Sequence, residues 1–182
     1  MTDNGRQEAF WVLRAQSGDR EAVDRLLRGV EGPLGRYLSG LVGNRAPAED
    51  LLQDVLTIVY RKLRWLQDPA LFRPWVFRIA SREAFKRLKR ERRWSEQVRD
   101  PEVLDAVPDE SGTPATMVPG RFGGLMAGLS PASRAVLVLH YHEGMTLTEI
   151  ADVLEIAPGT VKSRLAYGLA ALRQTLGPHE AR

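Results

Sequence analysis

The sequence predicts an all-α protein made of two small helical domains joined by a flexible acidic linker, the second domain a helix-turn-helix. Three observations predict it. Apolar residues recur at helical spacing through most of the chain, and no stretch alternates apolar with polar residues around a hairpin turn. From Ser95 to Pro119 that periodicity stops, and acids alternate with prolines and a glycine. Thr146 to Arg173 then reads as two helices separated by a tight turn. The boundaries that follow are residues 1–95, 96–119 and 120–182.

Composition agrees with this and narrows the function. The 182 residues are 43% hydrophobic and 27% charged, enough for two modest cores under a soluble surface. The absence of cysteine excludes a disulfide framework, a thiol redox centre and a cysteine zinc site. No apolar run approaches the roughly eighteen residues of a membrane span, and the first ten residues are too polar for a secretory signal. A cytoplasmic protein is expected, with no membrane insertion. The net charge is only +3, but basic and acidic residues are segregated along the chain.

The first helical pattern, Glu8 to Ser17, is closed by Gly18, and Asp19 can cap a second helix carried by Ala22, Val23, Leu26 and Leu27 to about Val30. Gly32 and Pro33 are expected to break it. Leu34, Tyr37, Leu38 and Leu41 form a further stripe, ended by Gly43 and Asn44.

A longer helix is predicted from about Pro47 to Trp65. Leu52, Val55, Leu56, Val59 and Leu63 define its apolar side, while Glu49, Asp50, Gln53, Asp54 and Thr57 gather opposite. Acids in the first turns suit the positive end of the helix dipole, and the same cluster fits a docking surface for a basic partner helix.

After a loop, Gln67 to Ala70, the charge reverses. The helix from about Arg73 to Trp94 carries nine basic residues against two acidic ones, an excess larger than the chain's net charge of +3. Phe72, Trp75, Phe77 and Phe85 are interleaved with them. Charges that follow a phosphate backbone beside rings that stack on bases suit single-stranded nucleic acid. Trp75, Val76 and Ile79 also share a face with the expected core, which makes most of these rings packing groups.

Beyond the linker, Ser130 and Pro131 open a supporting helix through Val136, Leu137 and Leu139 that ends at Gly144. Thr146 with Glu149 is a capping box, and Leu147, Ile150, Ala151 and Leu154 continue it as an apolar face. Glu155 to Ala157 is the turn, and Pro158 stands at the first position of the next helix. Val161, Leu165, Leu169 and Leu172 form that helix's seam, and Gly177 with Pro178 stops it. Such a unit enters a major groove by the N-terminal half of its second helix. Lys162 and Ser163 have the chemistry to read base edges, and the free amides at Gly159 and Thr160 to hold a phosphate. An ordinary helical hairpin with a solvated face is the plainer reading of the same stretch.

Taken together, these motifs resemble the extracytoplasmic-function group of bacterial sigma-70 factors. Ala48–Leu63 is similar to the family's polymerase-docking helix, Phe72–Arg93 to its promoter-melting region, and Leu129–Arg173 to its second DNA-binding domain. The order and spacing of the three carry the resemblance over nearly the whole chain. It implies a transcription initiation factor rather than an enzyme, without a cofactor. The implied partners are core RNA polymerase, through its β′ clamp helices and β flap, promoter DNA, and an anti-sigma factor of the kind that holds many relatives inactive. In the holoenzyme such a protein is associated with the nucleoid.

The implied roles transfer residue by residue. Glu49, Asp50, Gln53 and Asp54 fall at polymerase-contacting positions. Gln67, Asp68 and Leu71 lie in the loop that captures a flipped base of the minus-10 element. Phe72, Arg73, Trp75, Arg78, Arg82 and Lys86 begin the helix that holds the opened strand. Thr146, Thr148, Gly159, Thr160, Lys162, Ser163, Arg164, Ala166 and Tyr167 fall at the minus-35 surface. Three departures are visible. Ala157 replaces a capping residue, Arg82 and Lys86 stand where asparagine and aspartate are common, and Ala166 and Tyr167 replace bulkier or basic residues. A helix-turn-helix regulator that does not bind polymerase is the alternative reading, although residues 1–95 offer no sensor or dimerisation unit.

Overall fold

The computed structural model describes residues 3–42, 45–98, 126 and 128–176. Among them are seven α-helices and no strand. They are α1 (Asp3–Gln16), α2 (Arg20–Val42), α3 (Arg45–Lys62), α4 (Phe72–Val98), α5 (Pro131–Tyr141), α6 (Leu147–Leu154) and α7 (Pro158–Leu176). Two 3-10 turns, Leu63–Trp65 and Pro69–Leu71, lie between α3 and α4. No described helix is long and apolar enough to cross a membrane. The linker expected from residue 96 starts later, because α4 continues through residues 96–98; residues 99–119 of it, and the stop at Gly177 and Pro178, fall outside the described residues.

The junction of α1 and α2 forms as its residues require. Gly18 adopts φ +96°, and the N–H groups of Gly18 and Asp19 donate to Ala15 and Arg14 carbonyls at 3.0 and 3.1 Å, a Schellman closure. Asp19 then accepts from the N–H of Glu21 at 3.0 Å and of Ala22 at 3.2 Å, capping α2.

The expected break at Gly32 and Pro33 does not occur. Pro33 lies inside α2, which runs unbroken to Val42. Val30, Leu34, Tyr37, Leu38 and Leu41 are all buried on one stripe that crosses the proline. Continuous burial of that stripe outweighs the lost hydrogen bond.

The first core lies between α2, α3 and α4. Leu51, Val55 and Val59 of α3 and Val76, Phe77 and Ala80 of α4 are buried with the α2 stripe. Tyr37 meets Phe77 edge-on at 5.4 Å between ring centroids, and its hydroxyl lies 2.6 Å from Ser81 Oγ. Ser81 spends its own hydrogen on the Phe77 carbonyl at 2.7 Å, so Tyr37 is the donor. Burial raises the pKa of this phenol far above its ordinary value.

The second half is built on α5, whose N-cap Ser130 accepts from Ser133 N–H at 3.2 Å. Thr146 and Glu149 form the reciprocal capping box of α6. α7 crosses α5 closely at Gly168, where a Cβ would fall 2.9 Å from Leu137 Cδ1. The two halves also touch, α5 packing on α2 and α6 on α4. Arg134 of α5 is 4% exposed and donates from Nη1 to the Gly40 carbonyl of α2 at 3.0 Å and from Nε to Leu129 at 2.8 Å.

Candidate nucleic-acid interface

The acidic face of α3 forms because the apolar stripe Leu51, Val55, Val59 turns inward. Glu49, Asp50, Gln53 and Asp54 are consequently exposed together on the opposite side. Thr57 returns its hydroxyl to the Gln53 carbonyl at 2.9 Å, which leaves the Gln53 side chain free of it.

Between α3 and α4 the chain makes a short, internally bonded loop. Asp68 accepts from the Ala70 N–H at 2.9 Å, and its carbonyl accepts from Leu71 N–H at 3.0 Å. Pro69 fixes the first position of the turn that Asp68 caps. Gln67, Asp68 and Leu71 all face solvent, Leu71 with half of its surface open. Phe72 is different. It is 1% exposed and belongs to the core, with Trp75 half-buried beside it at 6.4 Å between centroids. A ring at the start of α4 packs inward because α4 must present Phe72, Val76 and Phe77 to the core, and this surface offers no route from Phe72 to a base.

The first turns of the basic side of α4 meet the second half of the chain through Arg73, Arg78 and Arg82. Arg73 donates to Glu8 of α1 at 2.8 Å and to Glu143 at 3.1 Å. Burial alone would lower its pKa, and the two carboxylates more than offset that, so the net shift is upward. Arg78 donates to the Asp152 carbonyl at 3.1 Å. Arg82 pairs through Nε and Nη2 with both carboxylate oxygens of Glu155, and the hydrogen bond raises the arginine pKa and lowers that of the glutamate. Both partners are well exposed, so the pair adds little to stability and exchanges readily for another anion. Lys86 is exposed, 3.6 Å from Glu83.

The recognition helix presents a cleaner surface. Gly159, Lys162, Ser163, Ala166 and Tyr167 are exposed along α7, with Thr160 and Arg164 half-buried at its edge. Tyr167 is the most open large hydrophobic residue among the described residues, at 62%. Val161 is buried against the core and turns this face outward. Ser163 Oγ donates to the Thr160 carbonyl at 3.0 Å and retains its acceptor sites. Thr148 faces solvent, whereas the Thr146 hydroxyl is spent on Glu149, accepting its N–H at 3.2 Å and donating to its carboxylate at 2.8 Å. No capping oxygen exists at Ala157, whose carbonyl takes the N–H of Thr160 at 2.9 Å. Glu155 holds the turn in the left-handed region at φ 55°, a position that favours glycine.

Four side chains important to this arrangement were not singled out from sequence. Gln16 carries no local pattern. Glu8 and Glu143 read as ordinary surface acids. Arg134 alone left a signal, being a cation immediately before the apolar run Ala135 to Leu139.

Comparison with known proteins places these elements. Residues 23–94 match Sigma-70 region 2 and residues 125–174 match Sigma-70, region 4. The chain is 35% identical over 153 residues to the ECF RNA polymerase sigma factor SigL of Mycobacterium tuberculosis, covering 79% of this chain and 82% of that one. It is 31% identical over 162 residues to the RNA polymerase sigma-E factor of Streptomyces antibioticus, covering 87% of each. Among solved structures, the sigma factor RpoE in complex with the anti-sigma factor NepR from Bartonella quintana superposes with a TM-score of 0.68 at 24% identity, covering 86% of this chain and 98% of that one. CnrH in complex with the cytosolic domain of CnrY superposes with a TM-score of 0.67 at 23% identity, covering 93% and 96%.

Proposed function

The chain belongs to the extracytoplasmic-function group of sigma-70 factors, and from that premise we propose how its surfaces divide the work of transcription initiation. The protein binds core RNA polymerase, directs it to a subset of promoters and assists their melting. The observation that carries this is the presence of regions 2 and 4, in that order, on one chain. A regulator that reads duplex DNA alone has no use for region 2.

In this reading the acids of α3, Asp50 and Asp54 foremost, meet the basic β′ clamp helices, and the second domain meets the β flap. Asp68 and Leu71 bound the pocket for an unpaired minus-10 base, and Arg78, Arg82 and Lys86 follow the opened strand. Each stacking contact with such a strand is worth about 1 to 3 kcal/mol, enough for several together to hold DNA open. Lys162, Ser163 and Tyr167 enter the minus-35 major groove. The protein carries out no bond chemistry, which stays with the polymerase, and it works in the cytoplasm at the nucleoid. The domains are assigned to 1–95 and 120–182, with the acidic residues 96–119 as linker. An anti-sigma factor, as NepR is for the solved neighbour RpoE, is the regulator we expect.

Co-elution with core polymerase and promoter-specific run-off transcription test the assignment. A chain that binds duplex DNA and never the polymerase would refute it.

A further inference from the structure

The loop at residues 67–71 is hydrogen-bonded within itself and is anchored at either end by the buried Leu66 and Phe72. From outside it is held by α1. At the C-terminal end of α1, Gln16 Nε2 donates to the carbonyls of Leu63 at 3.0 Å and Leu66 at 2.8 Å. Both hydrogens of the carboxamide are thereby used on the segment where the loop begins. Two turns earlier, Glu8 Oε1 accepts from Arg73 Nη2 at 2.8 Å and Nε at 3.2 Å, gripping the residue where the loop has just ended. Eight residues of helix separate the two grips by about 12 Å, a fixed length. Arg73 and Leu66 are therefore tied to one helix at two points a fixed length apart, with the turn Pro69–Leu71 packed against that helix between them.

We propose that α1 is a splint for the strand-capturing loop, and that Gln16 and Glu8 are positioning residues for minus-10 melting. Neither touches DNA. They act by holding Asp68 and Leu71 where an extruded base can reach them. The splint lies before residue 23, where the match to region 2 begins. The Gln16 carboxamide suits its place because two carbonyl oxygens need two N–H donors at one point. Glutamate of the same shape would set oxygen against oxygen, and methionine of the same length would leave both carbonyls unpartnered.

This inference rests on reading residues 67–71 as the strand-capturing loop, and the experiment separates the two. Holoenzyme is assembled from the full chain and bacterial core polymerase. Opening is followed by 2-aminopurine fluorescence in the minus-10 strand of a promoter, and closed-complex affinity by duplex binding. Gln16→Met and Gln16→Glu should each slow opening about tenfold, the weight of one to two lost hydrogen bonds. Core binding and duplex affinity should stay unchanged, and Glu8→Gln should act in the same direction. If Leu71→Ala or Asp68→Ala slows opening while the Gln16 variants do not, the splint is refuted and the loop assignment stands. If neither loop variant matters, the loop assignment falls and the splint with it. Parallel losses of thermal midpoint, core binding and duplex affinity in both Gln16 variants would make the role merely structural and overturn the proposal.

Discussion

Replacing Arg134 with methionine should destabilise the protein and loosen the packing of its two halves. The guanidinium is 4% exposed and meets two carbonyls, Gly40 at 3.0 Å and Leu129 at 2.8 Å. Gly40 lies in the last turn of α2, where helical carbonyls have no partner of their own, so a cation there is also favoured by the dipole. Methionine matches the arginine stem but leaves two buried acceptors bare, at about 1 to 3 kcal/mol each. Part of that is offset, because the variant no longer buries a charge. Burial lowers the Arg134 pKa from a starting value so high that the group stays charged at any working pH. We therefore expect a net loss of about 2 to 3 kcal/mol, with lysine, a single donor point, falling between. Urea denaturation followed by circular dichroism measures the loss, and small-angle scattering the loosening. A methionine variant as stable as the parent would show that the buried charge costs as much as its hydrogen bonds return, and would refute the reasoning.

Three further outcomes are expected. Asp50→Arg combined with Asp54→Arg should abolish co-elution with core polymerase while leaving the helical spectrum unchanged, since both side chains are exposed. Ala157→Ser should raise the denaturation free energy by about 1 kcal/mol, by supplying the oxygen that the start of α7 lacks. Asp19 governs the acid side of the stability profile. The N–H of Ala22, then Arg14 and the N–H of Glu21, hold its carboxyl below the ordinary range against the opposing effect of burial. The folded pKa is depressed, so its contribution is fully present above the unfolded value near 3.9 and is lost as pH falls through the lower folded value. Asp19→Asn should accordingly lower the urea midpoint at neutral pH, with the difference closing in acid.

Much of the fold was legible because its signals are local. Gly18 with Asp19, Thr146 with Glu149, and Ser130 with Pro131 each mark a helix end by backbone chemistry that acts within a few residues, and each end lies where those residues put it. The same locality misled at Pro33. A proline within a helix is a local cost, and what overrides it is a buried stripe completed by α3 and α4, which no short window contains. Among the expected site residues, those on amphipathic faces, Asp50 and Lys162 for example, are exposed as periodicity required. Phe72 is not, because an aromatic beside a basic run has the same pattern whether its ring points to solvent or to the core.

The sequence by itself determined the class of protein, the order of its docking, melting and reading elements, and which way each helix faces. The fold class and the facing of the helices follow from periodicity and caps; the class of protein and the roles given to its elements follow from the family resemblance that their order carries. Only the tertiary structure decided that Arg73, Arg78 and Arg82 lie against Glu143, the Asp152 carbonyl and Glu155, and that Gln16 and Glu8 bond the two ends of a loop 47 to 65 residues away in the chain. Such pairings join groups distant in sequence by single hydrogen bonds and ion pairs. They leave no periodic trace, so the loop's residues can be recognised from the chain, while the helix that holds them is visible only once it is folded.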